Sequence, residues 1–508
     1  MLPPGQLKNR GTNLYTARSW NNLQHRFNSR KVKALITGIY FTFIRIKYDS
    51  QIMSTCLYVP SKQQTDTRSG QKNMFHKAFM VSMRLSILAT ISLFVLIQPV
   101  IAGQNGFYPC AVNLAPSDAM IVADTTGRII YKKNAETKHV PASTLKLLTS
   151  IAAIDTLGLT YRFKTEFYTD SENNLKVKGY GDPLLISEIL DHIARVLSKK
   201  SRCFKDLILD DRYFENAVAI PGNSSSDNPY DAPQGALCAN FNTIFFSHDR
   251  QGNLVSAEQQ TPLIPFAQKK IRSTKKNDGR YTLTHKQDEA VLYAGHLLAY
   301  FLKKHGVHTG KKVYRGKIVT SDRLLYTYYS KFTLGDIIKK LARFSNNFIA
   351  NQIFLSLGAV AYGPPANLDK SIRFISDYAH RVLNIKDIKI VEGSGLSRQN
   401  RISAHDMLTI LERFMPYRYL LKRRENILFK SGTLKGIRTR AGYIETDMGP
   451  FPFVVFMYRD SSIQNGPATP ENGHNFSRHK KKGHNRPYGL CIRPIVDCIN
   501  KTVGYYSY

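Results

Sequence analysis

Acidic residues are scarce in this 508-residue chain: 37 Asp and Glu stand against 72 Lys and Arg, leaving a formal net charge of +35. Such an excess first suggests a polyanionic partner. Several classes are nevertheless excluded by what is missing. No zinc-finger spacing and no RNA-binding aromatic motif accompanies the charge, which is spread along the chain. No G-x-x-x-x-G-K-[ST] occurs, and the segment "GVHTGKK" has the wrong spacing and lacks the hydroxyl residue. Nucleic acid is therefore not the expected partner, and an anionic envelope suits the charge better. There are six cysteines, five of them beyond residue 103 (Cys110, Cys203, Cys238, Cys491, Cys498). An odd number at irregular spacing names no disulfide framework, although Cys491 and Cys498 could close a small loop. No thiol has a histidine arrangement beside it, so the cysteines read as structural. His474, His479 and His484 recur in solvated Gly/Asn/Lys sequence, and no metal or organic cofactor is expected there or elsewhere. No internal repeat is present, and hydrophobic content of 43% excludes wholesale disorder.

The longest apolar run sets the compartment. Met83–Gly103, "MRLSILATISLFVLIQPVIAG", has basic Arg84, an apolar stretch from Leu85 to Ile97, Pro99, and Val100-Ile101-Ala102 as a small-residue cleavage site. This reads as a secretory signal (83–102) cut after Ala102, short for a membrane anchor. Residues 1–82 carry thirteen Lys/Arg against Asp49 and Asp66 and show no convincing periodicity. They read as a non-native or disordered extension, with translation expected to begin near Met74, Met80 or Met83. The protein is thus expected in the periplasm or cell envelope.

Past the signal, "DAMIVADTTGRIIYKK" reads as two strands and a turn. From about Tyr161 to Lys331, short alternating segments broken by Gly/Asn/Ser/Asp turns indicate a mostly β insertion, with helical pieces near 184–198 and 288–305. Helical periodicity returns in "TLGDIIKKLARFSNNFIANQIFLSLGAVA", "KSIRFISDYAHRVLN" and "SAHDMLTILERFM". The block "ILFKSGTLKGIRTRAGYIETDMGPFPFVVFMYRD" reads as a strand followed by a strand hairpin, and a basic tail follows.

Chemistry concentrates in Ser143 and Lys146. S-x-x-K occurs four times, at Ser69/Lys72, Ser143/Lys146, Ser273/Lys276 and Ser477/Lys480. Only Ser143 follows a helix-start signal (Pro141, Ala142) and precedes a sustained apolar run, closed by Gly158. On adjacent turns of one helix the two side chains share a face, and a lysine of lowered pKa can take the serine's proton. Two further polar motifs follow. Ser345-Asn346-Asn347 sits before a helical run, where a loop can aim a hydroxyl and an amide into a cleft. Lys430-Ser431-Gly432-Thr433 follows "NILF", so Lys430 and Gly432 share one face of a strand and Ser431 the other, while Gly432 would let a substrate backbone approach closely.

In this order, S-x-x-K, S-x-N and K-S-G resemble the motifs of the penicillin-binding protein and serine β-lactamase superfamily. With "VKGYGDPLL", "YDAPQGALCANFNTI", "VEGSGLSRQNRISA" and "KSGTLKGIRTRAGYI", residues 108–460 are similar to the D-alanyl-D-alanine carboxypeptidase/endopeptidase family of type 4 penicillin-binding proteins. The resemblance implies an α+β fold: a β-lactamase/transpeptidase-like domain, an antiparallel sheet with helices on both faces, carrying a large insertion. The domains expected are 104–161 with 332–462 (catalytic), 162–331 (inserted, β-rich) and 463–508 (flexible tail). It implies catalytic roles for Ser143 as nucleophile, Lys146 as base and Ser345 as proton relay to the leaving amine. Asn347, Lys430, Ser431, Gly432 and Thr433 would bind substrate, with the N–H groups of Ser143 and Thr433 as oxyanion donors. Ser431 replaces the family's usual threonine and keeps the hydroxyl. The implied partners are peptidoglycan stem peptides, with β-lactams as covalent inhibitors; peripheral membrane or envelope association stays open. A serine β-lactamase and an inactive peptidoglycan-binding scaffold are the alternatives. The 202 positions between Ser143 and Ser345 argue against the first, and retention of both lysines against the second.

Overall fold

Five successive buried residues make β1 (Ala119–Ala123) an interior strand, since both of its faces are covered. It turns through Thr125–Gly127 into β2 (Ile129–Lys133), where the Asp124 carboxylate accepts the N–H groups of Thr126 and Arg128 and so satisfies the turn's own backbone. The computed structural model describes residues 114–272 and 276–458. After β2, a 3-10 turn (Ala142–Leu145) leads into α1 (Lys146–Leu157), whose first nine residues are all buried. A helix covered on every side belongs at a domain's centre.

The chain then enters the insertion through β3 (Lys164–Thr169), β4 (Leu175–Gly179), α2 (Ser187–Leu197), β5 (Cys203–Phe204) and β6 (Leu207–Asp210). It continues through β7 (Thr243–His248), β8 (Leu254–Ser256), α3 (Pro265–Arg272), β9 (Gly279–Thr282) and α4 (Gln287–Lys304). It returns by β10 (His308–Thr309), β11 (Val313–Arg315) and β12 (Arg323–Tyr329). β3 and β12 pair antiparallel with Lys164 opposite Tyr329, so the inserted region is entered and left side by side. Its largest sheet runs β11-β6-β4-β3-β12. The β4–β6 and β6–β11 pairs are parallel, with α2 and α4 in the crossovers. The two expected helical pieces are found, at 187–197 and 287–304, but α3 was not anticipated: it buries only Ala267 and Ile271, too few apolar positions to show a period.

The remaining helices are α5 (Leu334–Phe344), α6 (Asn347–Tyr362), α7 (Leu368–Arg381) and α8 (Ala404–Phe414). β13 (Lys422–Arg424), β14 (Ile427–Leu434), β15 (Ile437–Thr446) and β16 (Gly449–Tyr458) complete a six-stranded sheet in the order β13-β14-β15-β16-β1-β2. All its pairs are antiparallel. On one face, Ala119, Ile121, Leu428, Ala441, Tyr443, Val454 and Phe456 join a core with α1, α6 and α8. Burying each large apolar side chain there stabilises by about 1.5–3 kcal/mol. Met120, Val122, Phe453 and Val455, on the other face, are buried as well. A second core, around Phe167, Leu209, Tyr293 and Phe301, belongs to the insertion.

The expectations for residues 1–82, the signal at 83–102 and the tail at 463–508 also lie outside the described residues, as do Cys110, Cys491 and Cys498. Cys203 is exposed and Cys238 buried, both as free thiols. Among the described residues no helix is long and apolar enough to cross a membrane.

Candidate active site

The Ser143–Lys146 spacing does what helical geometry requires, although the serine stands on the 3-10 turn and the α-helix begins only at Lys146. Lys146 Nζ is 2.9 Å from Ser143 Oγ. It also donates to Asn347 Oδ1 at 2.7 Å and to the Ser394 carbonyl at 2.6 Å. Two of these three partners can only accept. A neutral amine has two N–H groups and one lone pair. With its N–H groups held by Asn347 and Ser394, the lone pair of neutral Lys146 is directed at the Ser143 hydroxyl. Burial is the main cause holding Lys146 well below the ordinary lysine pKa; the nearby Lys430 charge adds to this and the Glu392 carboxylate opposes it.

Helix capping builds the S-x-N corner. Ser345 ends α5 in the left-handed region (φ 55°), its N–H bonded to the Leu341 carbonyl. Asn346 caps α6 by accepting the Ile349 N–H at 3.0 Å. Asn347 is then the first helical residue, beside Lys146. A non-glycine residue held at positive φ is strained, and such strain concentrates at functional sites. Ala142, immediately before Ser143, has φ 47° and is the second instance here.

The strand motif closes the site. Lys430 and Gly432 are buried on the core face of β14 and Ser431 is exposed on the other, as the period of two demands. Lys430 Nζ donates to Ser345 Oγ at 2.7 Å and to the Ser431 carbonyl at 2.6 Å. Burial, with Lys422 adding, pushes its pKa down to about 8. A Cβ on Gly432 would lie 2.7 Å from the Ser143 nitrogen and 2.3 Å from Thr439 Oγ1. Only glycine lets β14 pass so near the Ser143 N–H. Thr439 Oγ1 in turn donates to the Pro141 carbonyl at 2.7 Å, tying β15 to the turn that carries Ser143. β13 pairs with β14 only as far as Phe429, so from Lys430 onward the outer edge of β14 has no partner strand among the described residues. A peptide can add to such an edge.

All eight residues singled out by sequence thus fall in one region: Ser143, Lys146 and Asn347 bond together, Ser345 bonds Lys430, Gly432 packs on Ser143, and Ser431 and Thr433 line the adjoining cleft. Of the other S-x-x-K copies, Ser69/Lys72, Ser477/Lys480 and Ser273 lie outside the described residues, and Lys276 pairs with Asp227. Sequence reasoning missed the loop Val391–Asn400. The buried Glu392 carboxylate there accepts from Ser394 N (2.7 Å), Ser394 Oγ (2.6 Å) and Asn400 Nδ2 (2.7 Å). That shapes the turn whose Ser394 carbonyl holds Lys146. Gly395, at φ +79°, passes so close to Ala142 that a Cβ would lie 1.8 Å from its carbonyl oxygen. The segment "VEGSGLSRQN" was visible as a resemblance; a lone acid among Gly and Ser was the only local signal for its role.

Residues 113–291 and 280–422 match the model of the D-Ala-D-Ala carboxypeptidase 3 (S13) family. A D-alanyl-D-alanine carboxypeptidase of Actinomadura sp. (strain R39) is 24% identical over 360 residues, covering 59% of this chain and 65% of that protein, a little under two thirds. The D-alanyl-D-alanine carboxypeptidase DacB of Haemophilus influenzae is 23% identical over 444 residues, 74% of this chain and 90% of that one. In fold, the chain is similar to the crystal structure of penicillin binding protein 4 (dacB) from Haemophilus influenzae, with TM-score 0.60 and 20% identity, covering 78% of this chain and 99% of that one. Its complex with a novel β-lactam gives TM-score 0.55, at 20% identity, covering 76% and 96%.

Proposed function

The chain belongs to the D-Ala-D-Ala carboxypeptidase 3 (S13) family, and on that premise we propose that Ser143 carries out serine-type D-Ala-D-Ala carboxypeptidase chemistry on peptidoglycan stem peptides, through an acyl-enzyme that penicillins also form. The observation that carries the reading is the environment of Lys146: a buried amine whose N–H groups are taken by Asn347 and Ser394, 2.9 Å from the Ser143 hydroxyl. Neutral Lys146 accepts the hydroxyl proton as Ser143 Oγ attacks the carbonyl between the two D-alanines. Negative charge develops on that carbonyl oxygen, where the N–H groups of Ser143 and Thr433 serve as donors, each worth about 3–4 kcal/mol in other hydrolases. Ser345 Oγ, held by Lys430 Nζ, passes its proton to the departing amine and takes in its place the proton that Lys146 removed from Ser143, which returns Lys146 to its neutral form. Lys430, Ser431 and Thr433 hold the carboxylate of the released residue. Water then attacks the ester and frees Ser143. A peptide cross-link in place of the terminal D-Ala makes the same sequence an endopeptidase reaction.

The test is to incubate the protein with a stem peptide ending in D-Ala-D-Ala and assay free D-alanine, alongside nitrocefin. Release of D-alanine with slow, near-stoichiometric nitrocefin opening is expected. Sustained nitrocefin turnover without D-alanine release would replace this reading with a β-lactamase.

The same reading assigns the protein to the periplasm or cell envelope. It is supported by the form of the segment Met83–Ala102 and by the location of peptidoglycan. N-terminal sequencing of protein from its native cells is expected to start at Gly103; a start near residue 1 overturns export.

A further inference from the structure

A cleft of about 260 Å³ opens beside the catalytic groups. Its inner end is formed by Ser345, Lys430, Ser431 and Thr433, the groups assigned to the leaving amine and its carboxylate, whereas Ser143, Lys146 and Asn347 do not line it. The cleft therefore extends on the leaving-group side of the scissile bond. Six of its thirteen lining residues are lysine or arginine and none is acidic, which sets the sign of what it takes.

Its outer end carries Arg343, from the last turn of α5, and Lys422 and Arg424 of β13. Alternation puts Lys422 and Arg424 on one face of that strand. Arg423, on the opposite face, forms an ion pair with Glu445. Neither Lys422 nor Arg424 has a carboxylate partner among the described residues, and all three residues of β13 are exposed. Lys422 stands near enough to Lys430 to depress its pKa. A single D-alanine brings one negative charge, which the inner lysine and hydroxyls already receive. Among the described residues the outer cations have no counter-charge, and they stand in a recess whose walls strengthen their field.

Resting on the acyl-enzyme reading above, we infer that Arg343, Lys422 and Arg424 form a subsite for an acidic leaving peptide, one that carries further carboxylates beyond the residue that supplies the scissile amine. The chemistry is unchanged: a bond forms between Ser143 Oγ and the carbonyl carbon, the C–N bond breaks, and the amine leaves with a proton. Only the identity of the amine differs.

Two synthetic cross-linked peptides test this, identical except that the outer carboxylates of the leaving strand are free in one and amidated in the other. At low ionic strength the wild-type protein is expected to cleave the free acid with a kcat/KM roughly three- to tenfold above that of the amide. The preference should shrink severalfold at about 0.5 M salt, where the screening length is only a few ångströms. In R424Q and in the R343Q/R424Q double variant the ratio should approach one; Lys422 is left in place because of its influence on Lys430. Equal wild-type rates on the two peptides overturn the subsite, and so does a preference that survives in the double variant. If neither peptide is cleaved while penicillin still labels Ser143, the subsite falls and the acyl-enzyme reading stands. Absence of the label removes that reading itself.

Discussion

Replacing Ser143 with alanine abolishes the covalent penicillin adduct and lowers peptide hydrolysis by about five to six orders of magnitude, the scale on which loss of a serine nucleophile acts in other hydrolases. No neighbouring hydroxyl takes its place. Ser345 Oγ accepts from Lys430, and nothing bonds it to the buried base Lys146. Ser394 contributes its carbonyl to Lys146, while its hydroxyl is given to Glu392. The variant should fold normally, because Ser143 is only half-buried and its single described side-chain bond is the one from Lys146. Labelling with a fluorescent penicillin, followed by denaturing electrophoresis, checks this directly, with Ser273→Ala as the control for a second S-x-x-K serine. Label is expected to vanish in Ser143→Ala and persist in Ser273→Ala; label retained in Ser143→Ala refutes the assignment of the nucleophile.

Lys146→Arg is expected to lower the acylation rate by about 10²–10⁴-fold, the usual contribution of a positioned general base. Arginine keeps the positive charge and can still donate to Asn347 and Ser394, but it does not release its proton near neutrality. The variant thus separates a base from a mere cation. The pH dependence supplies the second signature. A base acts when unprotonated, and the folded pKa of Lys146 lies well below the lysine value of 10.5. Wild-type acylation should therefore climb with pH through that lowered value, far short of 10.5. On the alkaline side, Lys430 loses its charge around pH 8. Its hold on the substrate carboxylate weakens there, so kcat/KM on peptides should turn downward. Rapid-mixing measurements of acylation between pH 6 and 9 test both variants of the site. Acylation in Lys146→Arg within tenfold of wild type would rule out Lys146 as the base.

How much of this was legible beforehand depends on whether the responsible interaction is local. The helix at Lys146–Leu157 was readable because its apolar residues recur along one segment, and the β14 pattern because alternation puts Lys430 inward and Ser431 outward. Asn346 as a cap, with Ser345 and Asn347 on either side, also follows from local chemistry. The parallel β4–β6 and β6–β11 pairs were not readable, because strand direction is set by the α2 and α4 crossovers and not by composition. Glu392 escaped notice because its partners' positions depend on a turn that packs only once α1 and α6 are in place.

The primary structure alone determined which residue types were available and in what order: a serine and a lysine one helical turn apart, an S-x-N corner between two helices, and a lysine and a glycine on one strand face. These are properties of neighbouring residues and of fixed backbone periods. Tertiary structure alone decided what surrounds the pair. It brought Asn347, 201 positions away, and Ser394, 248 positions away, onto Lys146 Nζ. It removed that amine from water, which is what lowers its pKa, and it set the strand carrying Gly432 against the Ser143 N–H. It also turned Arg423 toward Glu445 and left Lys422 and Arg424 on the cleft, a division that a run of three basic residues does not reveal. Desolvation and charge separation depend on what surrounds a group in space, and most of those surroundings come from distant parts of the chain.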